Sequence, residues 1–259
     1  MSDILQQIVE QKRIEIEEQR SRWPMESLAE KASLHERFSL KKALQANERV
    51  KIIAELKKAS PSRGVLIDQF DPEEMAARYR SGGAVALSVL TESKFFQGKL
   101  EYLQIAKQSA RLPVLCKDFI IEPYQIHLAA AKGADAILLL VRLLSRRQLE
   151  DFLGIARECG LDCLVEVHTE PELESALNTP AQIIGVNARD LADFSVSLDR
   201  TAALSKLIPD NRLRVAESGI STKVDISRLV DAGYSNFLVG EALVKSSDPA
   251  GLLREFRQA

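Results

Sequence analysis

Histidine and cysteine are scarce in this 259-residue chain, with three of each. His35, His127 and His168 are scattered, which leaves no clustered ligand set for a catalytic metal. Cys116, Cys159 and Cys163 form no CxxC pair and are odd in number, so neither a disulfide framework nor a zinc knuckle is indicated; buried, reduced thiols are expected. Long hydrophobic runs are missing as well. The longest, 134–141, contains Asp135 and falls far short of the roughly 20 residues of a membrane helix, so no membrane partner is expected. The opening stretch MSDILQQIVEQKRIEIEEQR is polar where a signal peptide would be apolar, which predicts a cytoplasmic protein. Neither charge is in excess: 35 Lys and Arg against 37 Asp and Glu leave no broad basic face, and nucleic acid is not an expected partner.

What is present is ample core material, 46% hydrophobic residues against 28% charged, without low-complexity bias, which excludes disorder as the dominant state. The length admits two ordinary domains or one α/β barrel of roughly 250 residues. From residue 50 onward, short apolar runs alternate with segments of helical period: 50–56, 84–90, 113–116, 136–140, 163–167, 182–186, 213–216 and 236–239. The helices between them carry start and stop signals. Asp71-Pro72 precedes an acidic first turn and Gly82-Gly83 ends it, and Glu122-Pro123, Ser145, Glu170-Pro171, Ser221 and Asp248-Pro249 open others. An open doubly wound sheet usually stops short of eight strands and carries a glycine-rich first turn, whereas KKASPSRG is no GxGxxG. The pattern therefore predicts a single (β/α)8 TIM barrel over 1–259. Residues 1–49 form a helical N-terminal extension, helical at 4–20 and near 39–45, that either plugs the barrel's bottom or walls its active site.

Buried parallel strands should read as uninterrupted apolar runs, so charges at their C-terminal ends need another explanation. Glu55, Lys57, Lys117, Glu166, Asn187 and Glu217 all fall there, at the end that forms a barrel's catalytic face. Any one of them could serve a structural ion pair; six in one mouth point to a functional site. Barrels often bind phosphate through the loops after strands seven and eight. Here those are 217–221, with Ser218 and Gly219, and 238–242, with Leu238, Gly240 and Glu241, the last of which must turn its carboxylate away from an anion. His168 lies two residues beyond Glu166 and could share its face; all three histidines are read as non-catalytic.

The segments IIAELKKASPSRG (52–64), LTESKFFQG (90–98), CKDFI (116–120), VNARDL (186–191), VAESGI (215–220) and FLVGEAL (237–243) resemble the indole-3-glycerol phosphate synthase family over the whole chain, helical extension included. The absence of an isomerase domain after residue 259 fits its stand-alone form. The resemblance implies a small-molecule substrate, 1-(2-carboxyphenylamino)-1-deoxyribulose 5-phosphate, whose indole ring is closed with loss of carbon dioxide and water in tryptophan biosynthesis. It implies no cofactor. It further implies Lys117 as general acid, Glu166 as general base, and Glu55 with Lys57 as paired residues of the first strand. Asn187 and Glu217 would orient substrate and lysine, with Arg189 in support. Phe96, Phe119 and Leu191 would line the anthranilate pocket, Ser218, Gly219 and Gly240 the phosphate loop, and Ser60 lies in the loop that closes over substrate. Phosphoribosylanthranilate isomerase is disfavoured, because that family is shorter and uses a Cys and Asp pair. A barrel kept only for binding would have lost a charged site residue, and none is lost. A barrel with its own bottom covered is expected to be a monomer.

Overall fold

The computed structural model describes residues 4–190 and 194–259. It opens with α1 (Ile4–Arg22), α2 (Leu28–Ser33) and α3 (Leu40–Leu44). Strand and helix then alternate: β1 (Lys51–Leu56), α4 (Pro72–Ser81), β2 (Ala86–Leu90), α5 (Glu101–Ala110), β3 (Val114–Lys117), α6 (Pro123–Ala131), β4 (Ala136–Leu140) and α7 (Arg146–Glu158). The second half follows the same rule: β5 (Asp162–Val167), α8 (Glu170–Leu177), β6 (Ile183–Asn187), α9 (Leu198–Ser205), β7 (Leu213–Glu217), α10 (Lys223–Asp231) and β8 (Asn236–Val239), closed by α11 (Glu241–Lys245) and α12 (Pro249–Phe256). β1 to β8 pair in parallel and in chain order, and β8 returns to β1 with Ile53 opposite Leu238, so the sheet is a closed barrel. Among the described residues no helix is long and apolar enough to cross a membrane.

The helix starts follow their local chemistry. The Asp71 carboxylate accepts the Glu73 and Glu74 N–H groups at the head of α4, and Glu122 with Gln125, like Ser145 with Gln148, forms a reciprocal capping box. α8 begins at Glu170 as expected, capped by Thr169, whereas α10 is capped by Thr222 and not opened by Ser221, because the Thr222 hydroxyl accepts the third N–H of the helix while Ser221 donates to Asp225. Cys116 is buried, but Cys159 and Cys163 are only half-buried, since both lie at the lower rim where α7 turns into β5; all three are free.

Two apolar layers hold the barrel. Ile53, Ala86, Leu115, Leu164, Ile183 and Val215 fill its interior, and a larger shell, including Leu87, Ile137, Val165, Ile184 and Phe237, packs between strands and helices. Each of the larger side chains among them, removed from water, contributes roughly 1.5–3 kcal/mol before entropy is counted. The segment around α3 closes the N-terminal end: Leu40 and Leu44 join the interior cluster. Asp162 accepts Ser39 Oγ and Lys41 N at 2.9 Å, and Asp135 accepts Phe38 N at 2.8 Å, Val114 N at 3.0 Å and Lys107 Nζ at 2.6 Å. α1 goes to the opposite end. The extension thus does both jobs left open by its sequence, a plug through α3 and a wall of the upper cavity through α1.

Candidate active site

β3, β6 and β7 end on a polar side chain, and β5 carries one a residue before its end, all aimed into one cavity of about 470 Å³. Lys117 Nζ lies 2.7 Å from Glu166 Oε2 and 2.8 Å from Glu217 Oε2, and Asn187 Nδ2 donates to Glu166 Oε1 at 3.0 Å. Beside them Lys57 Nζ meets Glu55 Oε1 at 2.6 Å, as the two-residue period of β1 requires. The strand pleat and two glycines make room for these carboxylates. A Cβ at Gly185 would collide with Glu217 Oε1, and one at Gly240 with Glu55 Oε1. In the loop after β7, Ser218 and Gly219 both hold positive φ, 66° and 72°. For Ser218 that conformation costs roughly 1–2 kcal/mol, a strain typical of functional loops.

Burial and charge act against each other in this cluster. Desolvation alone would pull the Lys117 ammonium down, but Glu166, Glu217 and Glu55 outweigh it and raise its pKa. Burial likewise favours a protonated Glu166, yet Lys117, His168 and the hydrogen bonds from Lys117 and Asn187 hold it ionised, lowered to about 2. Glu217 goes the other way. Burial dominates, Lys117 compensates only in part, and the neighbouring charges of Glu166 and Glu55 push it up to about 8. Its Oε1 is buried without a hydrogen-bond partner among the described residues, which is tolerable for a neutral carboxyl and costly for an anion. The cluster therefore sets a lysine held charged, a carboxylate held ionised and a carboxyl pushed towards its neutral form within one hydrogen-bonded group.

The cavity has an apolar and a cationic side. Phe96 and Phe119, with ring centroids 6.0 Å apart, face it together with Leu140 and Leu238. Glu92, fully buried, shapes the loop that presents Phe96 by accepting the N–H groups of Lys94, Phe95 and Phe96 at 2.8–3.0 Å. On the other side stand Ser60, Arg63, Arg189, Ser218, Gly219, Gly240, Glu241 and Lys245. Ser60 and Arg63 sit on a short hairpin whose arms are Ala59–Ser60 and Gly64–Val65. Arg189 donates its N–H to Asn187 Oδ1 at 3.0 Å. Glu241 faces the cavity rim, and its oxygens are taken by Lys245 at 2.6 Å, Arg189 at 3.4 Å and Arg63 at 3.6 Å. The Lys245 hydrogen bond and these charges hold its carboxyl below the usual range.

The structure thus brings together every predicted site residue except Leu191, which lies outside the described residues. It also adds some. Ile4, Leu5 and Ile8 of α1 line the cavity, and α1 is clamped there by Lys12, whose ammonium is buried between Glu15 at 2.6 Å and Asp118 at 2.8 Å. The apolar spacing of α1 signalled a helix with a buried face but not the surface that buries it. Leu138 and Leu140 form the floor, unrecognisable beforehand because they read as ordinary strand residues.

A family model for indole-3-glycerol phosphate synthase matches residues 5–256. The chain is 42% identical over 261 residues to the indole-3-glycerol phosphate synthase of Desulfosudis oleivorans, covering 98% of each. Among solved structures, a 3-hexulose-6-phosphate synthase superposes with a TM-score of 0.65 at 14% identity, over 81% of this chain and 99% of that one. KGPDC from Streptococcus mutans gives 0.65 at 13%, over 82% and 97%. At such identities these two structures share the barrel and nothing finer. The full-length sequence match shows that the chain belongs to the indole-3-glycerol phosphate synthase family.

Proposed function

We propose that this cavity binds 1-(2-carboxyphenylamino)-1-deoxyribulose 5-phosphate and closes its indole ring through acid–base chemistry carried by Lys117 and Glu166. Family membership makes the chain a carboxy-lyase of tryptophan biosynthesis. The observation that carries the residue roles is the Lys117, Glu166 and Glu217 cluster, in which the acid starts protonated and the base starts ionised. Lys117 donates to the ketone oxygen as the ring carbon bearing the carboxylate attacks the ketone carbon. Carbon dioxide then leaves and the benzene ring regains its aromaticity. The new hydroxyl departs as water, and Glu166 takes the carbon-bound proton whose loss completes the indole.

Lys57, held by Glu55, neutralises a substrate anion and is the second proton donor available to the dehydration. Phe96 and Phe119 bound the anthranilate ring. Ser60, Arg189, Ser218, Gly219, Leu238 and Gly240 surround the phosphate end, where Arg63, Arg189 and Lys245 supply positive charge that Glu241 holds in place. Asn187 and Glu217 orient the base and the acid. We read the chain as one barrel domain acting as a monomer in the cytoplasm on this small molecule, without cofactor.

The test is indole fluorescence from purified protein and substrate. Folded protein that yields no product overturns the reading. Lys117→Ala and Glu166→Gln are each expected to lower turnover about 100-fold or more, and near-normal turnover in either removes that residue from its role.

A further inference from the structure

His168 is fully buried directly behind Glu166 and does not line the cavity. Its Nε2 has no well-aligned hydrogen bond among the described residues, and the acceptor within reach is Glu166 Oε1 at 3.3 Å. The ring cannot turn away to find another. Its Nδ1 faces Glu172 Oε2 at 3.3 Å, and its backbone N–H donates to the same oxygen at 2.7 Å. Glu172 stands in the first turn of α8 and is gripped from its other oxygen by Arg142 at 3.2 Å. Arg142, from the turn after β4, also reaches Asp190 at 3.5 Å, in the loop after β6 that carries Arg189. A buried polar group with one acceptor in reach is a costly arrangement unless that contact is used.

We infer that His168 is a positioning residue for Glu166: anchored on Glu172 through its backbone N–H, it donates Nε2–H to Glu166 Oε1 and fixes the carboxylate's rotation so that Oε2 stays aimed at Lys117 and the cavity. Asn187 holds the same oxygen from the adjacent strand, so Oε1 is pinned from two directions while Oε2 remains free to exchange partners. The inference rests on the reading of Glu166 as the base. The two-residue spacing from Glu166 to His168 returns the histidine to the side of the chain on which Glu166 lies.

The two amide side chains separate the two ring nitrogens. Glutamine places its Nε2 donor where the imidazole Nε2 stands, and asparagine places its Nδ2 donor near the imidazole Nδ1. His168→Asn is expected to lower kcat about tenfold or more, with KM held within about twofold, and His168→Gln to recover most of kcat. Equal losses in the two variants, a larger loss in glutamine, or a loss carried by KM would overturn the inference. Should both variants fail to fold, Glu172→Ala serves instead, since alanine leaves the His168 N–H without its acceptor. A lowered kcat at constant KM supports the anchor, and unchanged kcat overturns it. Glu166→Gln separates the two readings. If it keeps its turnover, the base assignment fails; if it loses turnover while the His168 pair does not divide as stated, only the positioning role fails.

Discussion

Glu217 is a buried carboxyl in the barrel mouth with one oxygen lacking a hydrogen-bond partner among the described residues. Its folded pKa, near 8, lies well above the ordinary carboxylate value of 4.5, so between those values the native state binds a proton that the unfolded chain releases. The sign follows directly. Stability from this group is fully present below about pH 4.5 and is lost as pH rises through 8. Glu217→Gln, which keeps an oxygen for Lys117 to donate to and cannot ionise, should therefore melt several degrees higher than the parent at pH 9. The advantage should shrink towards pH 5. A melting difference that stays constant with pH would show that Glu217 is ionised throughout. The same site shows what was legible residue by residue. Lys117, Glu166 and Glu217 stood out because charge does not belong in a buried strand, but Glu92 and Lys12 did not, because nothing in their local sequence separates a buried carboxylate or ammonium from a solvated one.

Helix α1 shows the corresponding limit for elements. Its helical spacing was readable, and its destination was not. Burial of the Lys12 ammonium opposes its charge, yet Asp118 and then Glu15 more than compensate, and Ser93 and Thr91 bind the outer oxygens of the two carboxylates. Breaking a buried cluster of this kind leaves unpaired charge. Lys12→Met is expected to cost about 3 kcal/mol in urea unfolding and to raise KM, since Ile4, Leu5 and Ile8 then lose their seat on the cavity wall. An unchanged midpoint and KM would mean that the apolar face of α1 docks without the clamp. Caps were more legible than docking, because a cap is settled within four residues. The one-residue shift at Thr222 came from choosing between two adjacent hydroxyls, Ser221 and Thr222, a choice made by backbone geometry.

At the scale of the whole molecule, the chain covers both ends of its own barrel, the lower by Leu40 and Leu44 and the upper by α1. Its large exposed apolar side chains, among them Ile14, Leu34, Leu207 and Val224, fall on separate elements. Scattered residues of this kind need no partner surface. Sedimentation should accordingly give one species at the mass of a single chain across micromolar concentrations, and a concentration-dependent shift to twice that mass would contradict the monomer. The repeating alternation of apolar runs and capped helices, and the chemical types at each strand end, were determined by the sequence alone, because hydrophobic period and capping are local properties. Only the closed barrel decided which of those groups meet. Lys117 stands 49 residues from Glu166 and 100 from Glu217, and ring closure sets the three within hydrogen-bonding distance. Protonation state depends on distance and burial, so it was the tertiary structure that held Glu166 ionised and pushed Glu217 towards its neutral form.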